Sequence, residues 1–407
     1  MRQELLQLEK VLQLLQKTVD ILKAAENPDD RIITEILNGV TEVNIEVYGC
    51  EELSDFPLNK YADVPGLFQE CFDRWMNRMV DQLQLRKLLF NKTDYDFQIL
   101  SAHITVMSEE GLLKEAVACL EQVRQDCEQN YEYIKNIYNN YHYFWGSLDL
   151  DRGDIGLLKS RVHEIKSHWD DLCWLYQNLA DYRSKKVLYG ILHYWLTFDF
   201  ADKNTIVENN YDDYYDFDIL TCSEDEVFVD LGAYNGDSAL SYIENFGSYK
   251  RIYCYEMASS AMKEMEQKLA AFDHIVYRQA AVGNRNESAF MTEINGATTN
   301  FIVSPQEVDI EKRIQVPMVK LDDDICEPIT FLKMDIEGSE LEAMKGAEQH
   351  IRKDKPKLAV CSYHNNHHIY EIPRLMREYN PQYKLYMRYN GPVNHVLTSE
   401  YVTFALP

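Results

Sequence analysis

Between residues 5 and 22, apolar side chains recur at alternating steps of three and four: Leu5, Leu8, Leu12, Leu15, Val19 and Leu22. The spacing predicts a helix with an a/d seam about three heptads long. Val11, Leu14 and Ile21 widen the seam, so an intramolecular bundle face and a self-association helix both fit it. Asn27-Pro28-Asp29-Asp30 ends the helix and offers Asp29 or Asp30 as the next cap. Residues 31–56 are mixed, with a β-like run at 43–48. Helical spacing returns at 68–89, at 112–143 and at 155–197, the last interrupted near Asp181. The aromatics Tyr131, Tyr133, Tyr138, Tyr141, Tyr143, Phe144 and Trp145 read first as core or interface, with sugar stacking as the alternative.

The pattern changes after an acidic, tyrosine-rich stretch at 209–218, which reads as a linker or as a flap whose Tyr211, Tyr214 and Tyr215 cover a ligand. Strand-like runs follow at 227–231, 251–255, 275–278, 329–334, 357–362, 383–389 and 401–406. Helical runs lie between them at 239–246, 258–272, 340–351 and 371–379. Strands alternating with helices predict a doubly wound parallel sheet, an α/β fold. No helix separates the last two strands, so one of them is expected to run antiparallel. The expected division is therefore 1–168, a mainly helical domain for oligomerisation or substrate recruitment, and 169–407, the α/β domain. The latter begins with leading helices at 169–200 and an acidic linker at 205–220.

Charge narrows the function. The 407 residues carry a formal net charge of −26, which repels a phosphate backbone and argues against nucleic-acid binding. The charged, amphipathic start predicts no secretory leader, and no run of about 18 apolar residues predicts a membrane span. The nine cysteines form no CxxC pair, which fits reduced thiols in a cytoplasmic chain.

The candidate chemistry lies where the strands end. Residues 227–238 read Val-Phe-Val-Asp-Leu-Gly-Ala-Tyr-Asn-Gly-Asp-Ser, a buried strand, a tight loop and a helix start. Gly232 permits close backbone approach, and free N–H groups at the helix start are expected to hold a carboxylate. Asp230 and Asp237 favour an ammonium or hydroxyl over a phosphate, a combination that suits S-adenosylmethionine better than a dinucleotide. Glu256 ends the second strand, where an acid can accept both ribose hydroxyls. Asp335 and Glu337 follow the fourth strand on one side of an extended chain, with capping of the helix after Ser339 as the plainer reading. His364 ends the fifth strand as a candidate proton acceptor. With His367 and His368 it also permits a metal reading alongside Asp335 and Glu337, although nothing in the sequence fixes a ligand geometry, and no metal is expected.

The stretch 227–238, Cys254-Tyr-Glu256, Ala280-Ala-Val-Gly283, Val319-Lys-Leu-Asp-Asp323 and Phe331-Leu-Lys-Met-Asp-Ile-Glu-Gly-Ser-Glu340 resemble the FkbM family of S-adenosylmethionine-dependent methyltransferases. The last block is the most specific, and the resemblance covers about residues 220–407. It implies a class I methyltransferase (Rossmann-like) sheet of order 3-2-1-4-5-7-6. It implies that Asp230, Gly232, Ala233, Tyr234, Asn235, Gly236, Asp237 and Ser238 surround the methionine part. Glu256 and Met257 would then meet the ribose, Ala281 and Val282 the adenine, and Asp335 the methionine amino group beside the reacting centre.

The expected activity is O-methylation of a hydroxyl on a sugar, glycan or natural-product acceptor, by in-line transfer assisted by His364, Asp335 or Glu337 as base. Three alternatives remain. One is a protein or peptide methyltransferase; another is a cofactor-holding scaffold whose helical half binds a protein partner. The third is an NAD-dependent oxidoreductase, which the missing G-x-G-x-x-G spacing disfavours.

Overall fold

The computed structural model describes residues 92–208, 211–294, 299–303, 314–390 and 400–407. The heptad segment at 5–22 and the runs at 43–48 and 68–89 lie outside these residues. The chain divides into two compact units, 1–108 and 109–407. The first contributes helix α1 (Lys92–Val106). The second begins with α2 (Glu109–Asp126), α3 (Glu128–Asn140), α4 (His142–Trp145), α5 (Gly156–Ser167), α6 (Trp169–Asn178), α7 (Tyr182–Thr197) and α8 (Phe200–Asn204).

The unit boundary thus falls well before the expected 168/169 division. Apolar spacing had shown that α2 to α5 are amphipathic, without showing what they cover. They belong with the sheet that follows: Trp145 donates its indole N–H to Tyr363 O at 2.7 Å, and Tyr370 donates to Glu164 at 2.7 Å. The expected break at Asp181 is the N-cap of α7, its carboxylate accepting from Ser184 N at 2.8 Å.

The α/β part runs β1 (Val227–Leu231), α9 (Asp237–Phe246), β2 (Arg251–Tyr255), α10 (Ser259–Lys268), β3 (Ile275–Arg278), β4 (Ala281–Val282), β5 (Glu287–Ile294), β6 (Thr299–Val303), β7 (Ile314–Val319), α11 (Leu321–Asp324) and β8 (Phe331–Met334). It closes with α12 (Glu340–Gly346), α13 (Glu348–Asp354), β9 (Lys357–Cys361), α14 (His368–Tyr379), β10 (Lys384–Tyr389) and β11 (Tyr401–Leu406). The main sheet has the order β10-β11-β9-β8-β1-β2-β3. Its strands are parallel except β11, which is antiparallel to both β9 and β10. This is the expected 3-2-1-4-5-7-6 topology.

Every residue of β1 and of β8 is buried, as their near-continuous apolar runs require of strands covered on both faces. Phe228, Tyr242 and Phe331 stack beside them, with Tyr215 edge-on to all three. Helix α9 buries Ser238, Ala239, Tyr242 and Ile243, one face at three-to-four spacing, and ends at Gly247 with φ 76°. A second sheet, β4-β7-β5-β6, packs Ala281, Ala289, Met291 and Val316 against Ala258 and Ala261 around α10. Thr299 and Asn300 belong to β6, and 295–298 lie outside the described residues. Among the described residues no helix is long and apolar enough to cross a membrane.

The acidic segment is no solvated linker. Tyr215 is 1% exposed, and Asp216 is fully buried against the Arg388 guanidinium, which also binds Asp181 at 2.7 Å. Residues 211–220 are therefore a strap fastened across the sheet, and its tyrosines reach the site described next.

Candidate active site

Beyond the carboxyl ends of β1, β2, β4 and β8 lies a cavity of about 680 Å³, roofed on one side by the strap. Of the expected residues, Gly232, Tyr234, Asp237, Ser238, Glu256, Met257, Ala281, Val282, Asp335 and Glu337 line it. Asp230, Ala233, Asn235, Gly236 and His364 do not, and each has a physical reason.

Asp230 is the first correction. Its carboxylate is fully buried behind the wall, 2.9 Å from Lys333 Nζ, and accepts from Ser238 Oγ at 2.5 Å. Lys333 also donates to Gly232 O at 2.9 Å and lies 4.8 Å from the Tyr214 ring centroid. Burial works against the Lys333 charge, but Asp230 and then Asp335 outweigh it and hold the ammonium protonated. The pair braces the loop and leaves Asp230 nothing to offer a ligand. A lysine inside an apolar strand, Phe-Leu-Lys-Met, was the visible sign of a buried partner.

Several of the loop's N–H groups are also committed. Gly232 N and Ala233 N both donate to Tyr255 O, at 3.0 and 2.9 Å, and Ser238 N is met by its neighbour Asp237. Part of the expected carboxylate cradle before and at the start of α9 is thus met from within. Ala233 is buried, Asn235 accepts from Lys268 Nζ, and Gly236 faces Met265 and Leu269. Gly232 has φ +77°, and a Cβ there would stand 1.8 Å from Asp335 O. The glycine is needed to let two loops touch, as well as to open the wall. Gly232→Ala is therefore expected to cost about 1–3 kcal/mol in backbone strain alone and to displace Asp335, read as a lower melting temperature together with weakened cofactor binding.

Glu256 is buried at the far side. One oxygen accepts from Tyr234 N at 3.0 Å and the other from Ala258 N at 2.7 Å. Burial raises its pKa against these backbone donors. Each oxygen keeps a lone pair for a further donor, an arrangement suited to a vicinal diol. Ala281 and Val282, held in register by β7, supply an apolar wall beside it.

At the opposite end, Asp335 accepts from Tyr214 OH at 2.7 Å. Glu337 adopts φ +53° just before Gly338 at +94°, so a left-handed turn, not an extended chain, brings both carboxylates to the cavity. Neither caps α12. The loop before α12 is instead tied down by Glu340, which sequence reasoning missed: its Oε1 accepts from Ile336 N at 3.1 Å and Gly338 N at 3.3 Å.

Glu340 is fully buried and faces two imidazoles, His364 Nδ1 at 2.8 Å and His368 Nδ1 at 3.3 Å. The other His364 nitrogen, Nε2, lies 3.3 Å from Glu337 Oε2 and 3.4 Å from Asp335 Oδ1. Burial would strip the His364 proton, but the Glu340 charge and the Glu337 contact hold its pKa well above 6.5. The same contacts hold Glu340 well below the carboxylate range despite burial. His364 thus lies buried behind the wall, where its acidic neighbours favour the imidazolium form, a poorer acceptor for a substrate proton than a carboxylate. Phe144 covers it, ring centroids 5.4 Å apart, so the helical extension backs the site directly. Glu337, in contrast, is raised by burial, partly offset by His364.

Asp335, Glu340 and His364 place donor atoms within 4.8 Å of one another. Glu340 spends those atoms on the loop N–H groups and on Nδ1, while Asp335 meets the opposite ring nitrogen. The arrangement is an ion-pair relay, which does not converge on a cation. His367 and His368 do not line the cavity.

With the geometry established, known proteins give it context. Residues 230–383 match the family model described as Methyltransferase FkbM domain. The chain is similar to the solved methyltransferase FkbM from Methylobacillus flagellatus, with 23% identity and a TM-score of 0.51, over 60% of this chain and 62% of that one. This chain therefore spans only 62% of that relative's length, and the likeness shows the fold. Fibrillarin from Aeropyrum pernix with natively bound S-adenosyl-L-methionine is similar at 12% identity and a TM-score of 0.29, over 45% of this chain and 67% of that one. Precorrin-6Y C5,15-methyltransferase from Geobacter metallireducens is similar at 12% identity and a TM-score of 0.28, over 46% and 82%. No curated protein matches the chain.

Proposed function

We propose that this chain, whose residues 230–383 match the FkbM methyltransferase domain, is an S-adenosylmethionine-dependent methyltransferase that methylates a hydroxyl of a small-molecule or glycan acceptor, with Glu337 taking the proton. One observation carries the reading: a single crevice holds a diol-suited carboxylate at one end and a raised-pKa carboxylate at the other. S-adenosylmethionine bound there supplies an electrophilic methyl group activated by its sulfonium.

The residues fit that cofactor. Glu256 has a free lone pair on each oxygen for the ribose hydroxyls, and Ala281 and Val282 offer an apolar face for adenine. Asp335, fixed by Tyr214, is placed to meet an ammonium. Glu337 needs an acceptor hydroxyl within hydrogen-bond reach, and its raised pKa makes it a stronger base than an exposed carboxylate. The His364 imidazolium is a positioning residue, holding the Glu337 and Asp335 carboxylates at fixed distances from one nitrogen.

The direct check is calorimetric binding of S-adenosylhomocysteine, followed by mass spectrometry of candidate sugars and glycans after incubation with S-adenosylmethionine. Binding with a gain of one methyl on a hydroxyl supports the reading. Undetectable S-adenosylhomocysteine binding, or loss of it in Glu337→Gln but not in Glu256→Gln, overturns the assignment of the two ends.

A further inference from the structure

The crevice is more acidic than its cofactor requires. Asp212, Asp213, Asp237, Glu256, Asp335 and Glu337 face it, and among the described residues the one lining ammonium, Lys333, is taken by Asp230. S-adenosylmethionine brings a sulfonium and an ammonium but also a carboxylate, so its net positive charge offsets only part of this field. Most of the carboxylates have protein partners. Asp212 is held by Asn245 and Ser241, Asp237 by Ser238 N, Glu256 by two N–H groups and Asp335 by Tyr214. Asp213 differs: among the described residues it has neither a hydrogen bond nor an ion pair. Burial, then Asp335, Asp212 and Asp237, push its pKa up to about 6.

A half-buried carboxylate without a protein partner, on the wall of an acidic crevice, favours a cationic group from outside the protein. A bare metal ion does not meet that need. Among the described residues, the one close-set group of potential ligands is Asp335, Glu340 and His364, whose donor atoms are already engaged with one another and with the loop. The remaining carboxylates are spread around the walls, which suits an extended organic cation better than a point charge.

Resting on the methyltransferase reading of this same cavity, we infer that the acceptor is a hydroxyl compound bearing a protonated amine, of the amino-sugar or amino-alcohol class. Its ammonium sits against Asp213 and its hydroxyl is presented to Glu337. The acidic walls raise the amine's pKa and keep it protonated, so nitrogen has no lone pair to attack with. Transfer is thereby directed to oxygen. The acceptor oxygen bonds the methyl carbon, the carbon–sulfur bond breaks with its electron pair staying on sulfur, and the hydroxyl proton passes to Glu337.

Three probes that share one ring and differ in charge test this: glucosamine, glucose and glucuronate, titrated into the full chain saturated with S-adenosylhomocysteine. Titrations in ~0.15 M salt screen the general field of the acidic surface beyond about 8 Å. Glucosamine is expected to bind about tenfold or more tightly than glucose, as one charge-assisted hydrogen bond provides, and glucuronate weakest. Asp213→Asn should bring glucosamine close to glucose while leaving the S-adenosylhomocysteine Kd unchanged. Equal binding of glucosamine and glucose, or no measurable binding of any probe, overturns the inference. So does an Asp213→Asn variant that loses S-adenosylhomocysteine affinity, which would assign Asp213 to the cofactor's ammonium. Failure of the unmodified chain to bind S-adenosylhomocysteine is a separate result and overturns the underlying methyltransferase reading.

Discussion

Glu337→Gln is expected to slow methyl transfer by about 10²–10⁴-fold, the usual worth of a positioned general base, with the S-adenosylhomocysteine Kd changed by less than about threefold. Glutamine keeps the length and shape of the side chain and the same positive-φ backbone, so the variant removes the proton acceptor and little else. The pH dependence gives a second readout. Glu337 must be ionised to act, and burial raises its pKa above the ordinary 4.5. The unmodified rate should therefore fall as pH drops through that raised value and be flat above it. In Glu337→Gln the residual rate should lack that acid limb. Full turnover in the variant would transfer the role to Asp335, or show that an aligned hydroxyl needs no base.

The sequence offers both Glu337 and His364 as the base, and what it does not show is the electrostatics that favours Glu337 in the proposed role. A histidine at a strand end reads as a titrating base, because its ordinary pKa is near neutral. What the chain order conceals is Glu340, an acid in the first turn of a helix, where acids commonly sit for the sake of the helix dipole. Only in three dimensions does Glu340 enter the core and lock the imidazole in its charged form. The sheet itself was legible, since runs such as 227–231 and 357–361 are continuous, apolar and bounded by polar turns. The small second sheet was not. Strand β7 contains Pro317, which argues against a strand from sequence alone, and β5 mixes Glu287, Ser288 and Glu293 into its run. The glycine loop lies where its sequence put it, but the sequence could not show that Gly232 N and Ala233 N are taken, because the Tyr255 carbonyl that accepts from them comes from a neighbouring strand.

His364→Ala is expected to destabilise the domain by about 3–5 kcal/mol, the cost of stranding a buried charge by removing its partner. The stranded group is Glu340, fully buried, with the His368 imidazole at 3.3 Å as its remaining histidine partner. The sign of the pH dependence identifies the cause. In the unmodified protein the folded pKa of Glu340 is depressed, so its contribution is present above the unfolded value near 4.5 and is lost only as pH falls through the folded value. The folded pKa of His364 is raised, so its contribution is complete below 6.5 and is lost as pH rises through the folded value. In His364→Ala, burial without the facing imidazolium raises the folded pKa of Glu340, and the fold then takes up a proton that the unfolded chain does not hold. The melting gap between variant and parent should therefore be wide near pH 7 and narrow as pH falls towards 5, where Glu340 becomes neutral. Adding Glu340→Gln to His364→Ala should recover part of the loss and flatten its pH dependence, since no buried charge is then left alone. A gap that ignores pH, or a double variant no more stable than the single one, would mean that His364 acts through packing against Phe144 and not through its charge.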